Sequence, residues 1–196
     1  LRWIEYCKSQ PNPMQAPAVH LKLDTGMHRL GFVEDDYTWL TQLLSETPSL
    51  KVASVFSHLV GADEGKHNEF SRSQYANFIK GAERIEKTLG YSVLKHILNS
   101  AGIIRFPEYK MDMVRLGIGL YGVEATGYYQ SHLQEVSTLK TVISQIKYLT
   151  PGQTVGYSRN GHIEHNTATA TIAIGYADGY DRGLGNGVGK VWINGH

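Results

Sequence analysis

The chain has 196 residues, 41% of them hydrophobic and 19% charged, with a formal net charge of +1 from 19 basic and 18 acidic residues. No basic block or stripe is present, which argues against nucleic acid and anionic membrane as partners, and no apolar run approaches the roughly 18 residues of a membrane span. The single cysteine, Cys7, excludes an internal disulfide and fits a reducing cytoplasm.

The chain opens inside a helical pattern, Leu1-Arg-Trp-Ile-Glu-Tyr6, without an initiating Met or a signal peptide, and so reads as a piece of a longer protein. Four strand-then-helix units follow. The first strand is Val19-His-Leu-Lys-Leu-Asp24, turning at Thr25-Gly26, with a helix over about Asp35 to Glu46. The second is Val52 to His58, and its helix runs from about Ser71 to Leu89, where Tyr75, Phe78, Ile79, Ala82, Ile85 and Leu89 keep helical spacing and Gly90 is the stop. The third, Leu94 to Leu98, ends in Asn99-Ser-Ala-Gly102. The fourth, Met111 to Arg115, runs into Gly117-Ile-Gly-Leu-Tyr-Gly122.

Such alternation predicts an α/β fold with parallel strands and a functional edge at their C-terminal ends. Four units are half of an eight-fold (β/α)8 barrel of the TIM type, which takes about 250 residues. A half barrel leaves two raw edges that further sequence or another chain must cover. A polar connector spans about Gly122 to Glu135. Beyond it, strands at Leu139–Tyr148, Thr154–Tyr157, Thr167–Ile174 and Lys190–Asn194 predict part of an antiparallel β-domain. The domains are therefore placed at 1–126 and 127–196.

Polar residues collect at the strand ends. Lys22 alternates with Leu21 and Leu23, so on an inward face its ammonium needs a partner. His58 reads equally as a satisfied core histidine, and Asn99-Ser100 equally as a helix cap. Arg115 lies in an apolar strand, where a guanidinium needs an acceptor. The loops after the last two strands offer the Ser100 hydroxyl and the amides of Gly117 and Ile118, a combination suited to a phosphate-bearing ligand. Gly183 to Lys190 is glycine-rich but lacks the Walker register, since Leu184 stands at the first required glycine and Val191 follows the lysine; it reads as a hairpin loop. The nine histidines show no metal-ligand spacing, and no metal site is expected.

With these residues in hand, the chain resembles the alanine racemase family, pyridoxal 5'-phosphate enzymes of fold type III. The resemblance rests on His20-Leu-Lys-Leu-Asp-Thr-Gly-Met-His-Arg-Leu-Gly-Phe32, Ser57-His58 with Ala62-Asp-Glu64, and His96-Ile-Leu-Asn-Ser-Ala101. It continues through Val114-Arg-Leu-Gly-Ile-Gly-Leu-Tyr-Gly122, Gly156-Tyr157 and Gly175-Tyr-Ala-Asp-Gly-Tyr180. It implies that Lys22 is carbamylated and pairs with Arg29, which meets the cofactor's phenolic oxygen and the substrate carboxylate. It implies that Ser100, Gly117 and Ile118 hold the phosphate with Asn99 beside them, and that Arg115, supported by His58, faces the pyridine nitrogen. Tyr157 becomes one of two catalytic bases, contributed across a head-to-tail homodimer.

The family's Schiff-base lysine falls in sequence this chain does not contain, so the 196 residues alone are expected not to racemise alanine. His28 stands where many members have glycine, and Ser158-Arg159-Asn160 follows Tyr157 where many have glycine and a second tyrosine, which bears on loop shape and pocket entrance. The implied activity is interconversion of L- and D-alanine for peptidoglycan precursors in the cytoplasm, and some members are fused behind a Mur ligase. The rival readings are a racemase for serine or several amino acids, a decarboxylase of the same fold, and a non-catalytic cofactor-binding module. Arg115 argues against the decarboxylase, whose pyridine nitrogen meets a carboxylate. The cofactor-binding module lacks a C-terminal β-domain.

Overall fold

In a computed structural model of the chain, residues 2–9 and 17–196 are described. Leu1, with which the helical reading begins, and the Cys7 side chain lie outside the described set. The chain forms two compact units, Leu1–Ser137 and Thr138–His196.

In the first unit α1 (Arg2–Ser9) precedes β1 (Val19–Lys22), α2 (Tyr37–Glu46), β2 (Val52–Phe56), α3 (Asn68–Leu89), β3 (Leu94–His96) and α4 (Ser100–Arg105). The strands form a parallel sheet in the order β1-β2-β3, with His20 opposite Ser54 and Lys22 opposite Phe56, which in turn faces His96. Period two sends Leu21 and Leu23 into the core and His20 and Lys22 to the other face. Helix α2 buries Tyr37, Leu40 and Leu44 at spacings of three and four, behind a first turn of Glu34, Asp35 and Asp36 that suits the positive helix N-terminus. Helix α3 buries Phe78, Ala82 and Ile85 completely, and each large side chain of this kind contributes about 1.5–3 kcal/mol. Gly90 ends α3 in the left-handed conformation at φ 73°, its amide donating to the Glu86 carbonyl at 2.9 Å.

In this unit two sequence expectations need correction. Met111–Arg115 is extended but is not a strand. Its amides donate to β3 and the residues after it, from Asp112 to the Lys95 carbonyl and from Arg115 to the Leu98 carbonyl. The reciprocal amide of Lys95, however, donates to the Asp112 side chain at 2.8 Å. A carboxylate takes the place of the backbone acceptor, and the ladder stops there. Among the described residues the first unit thus pairs three strands, not four. Second, α3 starts at Asn68, three residues before the predicted Ser71. Ser100–Arg105 is a short helix capped by Asn99, as the helix-cap reading of Asn99-Ser100 expected.

In the second unit β4 (Ile143–Leu149) pairs antiparallel with β7 (Thr167–Ile172), and β5 (Thr154–Val155) with β6 (Gly161–His162). No residue of this unit is fully buried. Lys190–Asn194 is not a strand: Asn194 and Gly195 are both left-handed, and Ile193 and His196 exchange backbone bonds across them, as in a two-residue turn. Nor is Gly183–Lys190 a hairpin between strands. It folds on itself, with the Gly189 amide on the Leu184 carbonyl at 2.7 Å.

Candidate functional site

A cavity of about 380 Å³ opens at the C-terminal ends of β2 and β3, lined by Met27, His58, Asn99, Ser100, Arg115 and Gly117 among others. That volume lies in the range of small-molecule pockets. Ile118 also lines it. Lys22 and Arg29 are near enough that their charges act on the Arg115 and His58 surroundings.

Arg115 is the centre of the polar network. Its Nη1 donates to His96 Nδ1 at 2.5 Å, and its Nη2 to the Ser57 carbonyl at 2.6 Å and the Ile97 carbonyl at 3.3 Å. The guanidinium also lies over the Phe56 ring at 5.3 Å, and Phe56 stacks on His96. Half-burial lowers its pKa from the ordinary value. No carboxylate among the described residues ion-pairs with it, so its acceptors are neutral and its positive charge stays uncompensated. Its Nε–H makes none of these bonds.

The histidines respond to that charge. Burial, then Arg115, pushes His96 down to about 4, so it is neutral near pH 7 and accepts the Arg115 hydrogen at Nδ1. Its Nε2 lies 3.3 Å from Ser54 Oγ, which lies 2.6 Å from His20 Nδ1, extending the chain across β2 to β1. Burial followed by Arg115, Arg29 and Lys22 also lowers His58. Two donors approach its ring, Arg115 Nη2 at Nδ1 (3.3 Å) and Asn99 Nδ2 at Nε2 (3.4 Å). A neutral imidazole has one accepting nitrogen, so it satisfies one of the two.

Asn99 takes the cap reading offered for it. Its Oδ1 caps α4 by accepting from the Gly102 amide at 2.9 Å, while Nδ2 donates to the Leu59 carbonyl. Ser100 Oγ receives two amides, Gly117 at 2.9 Å and Gly119 at 3.2 Å. The second amide converging there is that of Gly119, not of Ile118. Donors already aimed at one oxygen can serve an oxygen of a phosphate, and the Arg115 guanidinium lines the same cavity, so these residues fit a phosphate-bearing cofactor with a ring nitrogen.

Lys22 is half-buried on the open face of the sheet, and its Nζ donates to the Leu30 carbonyl at 2.5 Å. Desolvation lowers its pKa most, Asp24 opposes this, and Arg29 and Arg115 add to it. Arg29 itself is exposed, on the loop between Asp24 and the Leu23–Phe32 bridge. His28, beside it, has φ 52°. Tyr157 belongs to the second unit, where its side chain is 95% exposed and is followed by Ser158 (φ 56°) and Arg159 (φ 57°). Both departures from the family pattern therefore sit on left-handed backbone, which glycine adopts at lower cost.

Sequence reasoning assigned no role to His96 or Gln74. His96 was visible in the motif that includes Asn99 and Ser100, on the strand face shared with Lys22 and Phe56 across the register. Gln74 is fully buried on α3; it accepts from the Val60 amide and donates to the His58 carbonyl, pinning the loop after β2. Its polar type on an apolar helix face was the available signal.

The family model for the alanine racemase N-terminal domain matches residues 1–125, and that for the C-terminal domain matches residues 136–196. Alanine racemase 1 of Oceanobacillus iheyensis is 35% identical over 184 residues, covering 90% of this chain and 47% of the relative. Alanine racemase 2 of Bacillus subtilis is 35% identical, covering 86% and 44%. The alanine racemase structure from a D-cycloserine-producing Streptomyces lavendulae superposes with a TM-score of 0.79 at 30% identity, over 91% of this chain and 48% of that one. That from Bartonella henselae, with covalently bound pyridoxal phosphate, gives 0.75 at 27% identity over 93% and 48%. The chain spans about half the length of the relatives it matches. With both family domains matched in order along it, the chain belongs to the alanine racemase family.

Proposed function

We propose that this chain is the second half of the barrel and the start of the C-terminal β-domain of a pyridoxal-phosphate-dependent alanine racemase. The observation that carries the reading is the convergence of His58, Asn99, Ser100, Arg115 and Gly117 on one cavity at parallel strand ends, with a guanidinium that, among the described residues, no carboxylate ion-pairs. The barrel domain is placed at 1–126 and the β-domain at 127–196. The enzyme works in the cytoplasm as a homodimer, and its D-alanine serves peptidoglycan precursors.

Pyridoxal phosphate, when bound, supplies an electron sink that acidifies the α-hydrogen of the amino acid it holds. Ser100 with the Gly117 and Ile118 amides would hold the phosphate, next to Asn99 and beside the Gly119 amide that converges on the Ser100 hydroxyl. Arg115, supported by His58, offers a ring nitrogen a hydrogen that it does not surrender, its ordinary pKa being above about 12. Arg115, by keeping its hydrogen, would leave such a ring nitrogen unprotonated and so a weaker electron sink, a condition that suits return of a proton to the α-carbon. Arg29 orients the substrate carboxylate, and Lys22, as its carbamate, orients Arg29. Tyr157 moves the proton on one face of the α-carbon, while a lysine from the half that this chain does not span serves the other. A phenol's ordinary pKa of about 10 requires neighbouring cations for that work near neutrality.

The test is turnover by the full-length protein containing this segment, loaded with pyridoxal phosphate. D-alanine formation from L-alanine is the expected result, with none from the 196-residue chain alone. Faster turnover of serine moves the assignment to another racemase. An amine product, or cofactor binding without turnover of any amino acid, contradicts it.

A further inference from the structure

The loop that presents Arg29 leaves β1 after Leu23 and returns beside it at Phe32, where the Asp24 amide donates to the Phe32 carbonyl and the Phe32 amide to the Lys22 carbonyl. Within it, one oxygen of the Asp24 carboxylate accepts three successive amides: Gly26 at 3.0 Å, Met27 at 2.9 Å and His28 at 3.0 Å. On the far side of Arg29 the Leu30 carbonyl accepts from Lys22 Nζ. With Lys22 as the free ammonium, Arg29 is thus flanked by two charge-assisted contacts that both originate at the end of β1; the Asp24 contact does not depend on the state of Lys22.

We propose that Asp24 is a positioning residue for Arg29: its buried carboxylate gathers the Gly26, Met27 and His28 amides and so fixes the chain immediately before the arginine. Only the role of Arg29 toward a ligand rests on the racemase reading; the clamp itself does not. The arrangement also accounts for His28. Three amides pointed at one oxygen require a tightly curled chain, and His28 completes the curl at φ 52°, a conformation that non-glycine residues adopt only at a cost. Asp24 is 9% exposed, and its carboxylate satisfies the three donors. Burial alone would raise its pKa, but the bonds from His28, Gly26 and Met27 and the Lys22 ammonium outweigh it and hold the carboxyl below its ordinary value. The group is therefore an anion throughout the neutral range, and the clamp is always set.

The experiment is backbone NMR on the full 196-residue chain, comparing the parent with Asp24→Ala and Asp24→Asn. In the parent, the Met27 to Arg29 amides are expected to show order parameters near 0.85, the value of rigid backbone. In Asp24→Ala they fall below about 0.6, and the Gly26, Met27 and His28 amides exchange at least about tenfold faster, while Val55 and Phe56 in β2 are unaffected. Asp24→Asn retains a neutral acceptor and restores part of both signals. Mobile Arg29 in the parent, or unchanged order in Asp24→Ala, overturns the proposal. If Asp24→Ala fails to fold, Asp24→Asn decides: faster exchange confined to Gly26–His28 supports the clamp, and unchanged or global exchange overturns it. None of these outcomes depends on racemase activity, so a failed clamp and a failed assignment are told apart.

Discussion

Arg115 donates to His96 Nδ1 at 2.5 Å across nineteen positions of sequence, joining the segment that replaces a fourth strand to the last strand of the sheet. The same guanidinium reaches the Ser57 carbonyl at the end of β2. One side chain therefore ties the ends of β2 and β3 to the segment that follows α4. Arg115→Lys keeps the charge but offers a single ammonium in place of a planar fork. The expected outcome is a loss of about 1–3 kcal/mol in urea unfolding of this chain, and at least a tenfold drop in racemisation by the full-length protein.

His96 makes stability depend on pH. Its pKa falls from 6.5 to about 4 on folding, so the native state binds fewer protons than the unfolded chain between those values. Its contribution is fully present above pH 6.5 and is lost as pH falls toward 4. His58, lowered for the same reasons, acts in the same direction. Urea midpoints measured from pH 7.5 to pH 4 should fall monotonically, and His96→Gln should flatten the curve.

Gly31 closes the Arg29 loop at φ 117°. A Cβ there would meet the Lys22 carbonyl oxygen at 2.8 Å and the Asp24 amide nitrogen at 3.0 Å, both backbone atoms that cannot step aside. Gly31→Ala should cost about 2 kcal/mol or more, a value typical of backbone strain with a clash. Circular dichroism melting checks it; a loss below about 0.5 kcal/mol would mean the loop is not held where it is drawn.

The elements with long hydrophobic periods were legible in the sequence. Leu40 and Leu44 on α2, and Phe78, Ala82 and Ile85 on α3, are placed by burial alone, and burial leaves a period. The strand placed at Met111–Arg115 was a poorer guide, because its residues alone do not show whether the segment pairs. What ended the ladder was a single carboxylate, Asp112, on the Lys95 amide. Lys190–Asn194 carries β-favouring residues, but the segment meets a turn at Asn194-Gly195 in place of a partner. At the site, clustering of polar residues at strand ends pointed to His58, Asn99, Ser100 and Arg115. The His96–Arg115 bond depends on strand register and on the path of the chain between them, neither of which the residue types specify.

Tyr157 is 95% exposed in the second unit, so its hydroxyl contributes little to folding. Tyr157→Phe should leave stability within about 0.5 kcal/mol and leave cofactor binding intact. As a proton-transfer group it should lower kcat for racemisation by about 10²–10⁴-fold. Steady-state kinetics of the full-length variant in both directions provides the check, and an unchanged kcat removes Tyr157 from the mechanism.

The central claim is that Arg115 gives a hydrogen bond, and not a proton, to the ring nitrogen of the cofactor. It is tested most directly by nitrogen NMR of the full-length protein loaded with pyridoxal phosphate labelled at the ring nitrogen. The account predicts the resonance of an unprotonated pyridine near neutral pH, moving toward the pyridinium position when Arg115 is replaced by Glu. A pyridinium resonance in the parent protein would contradict it.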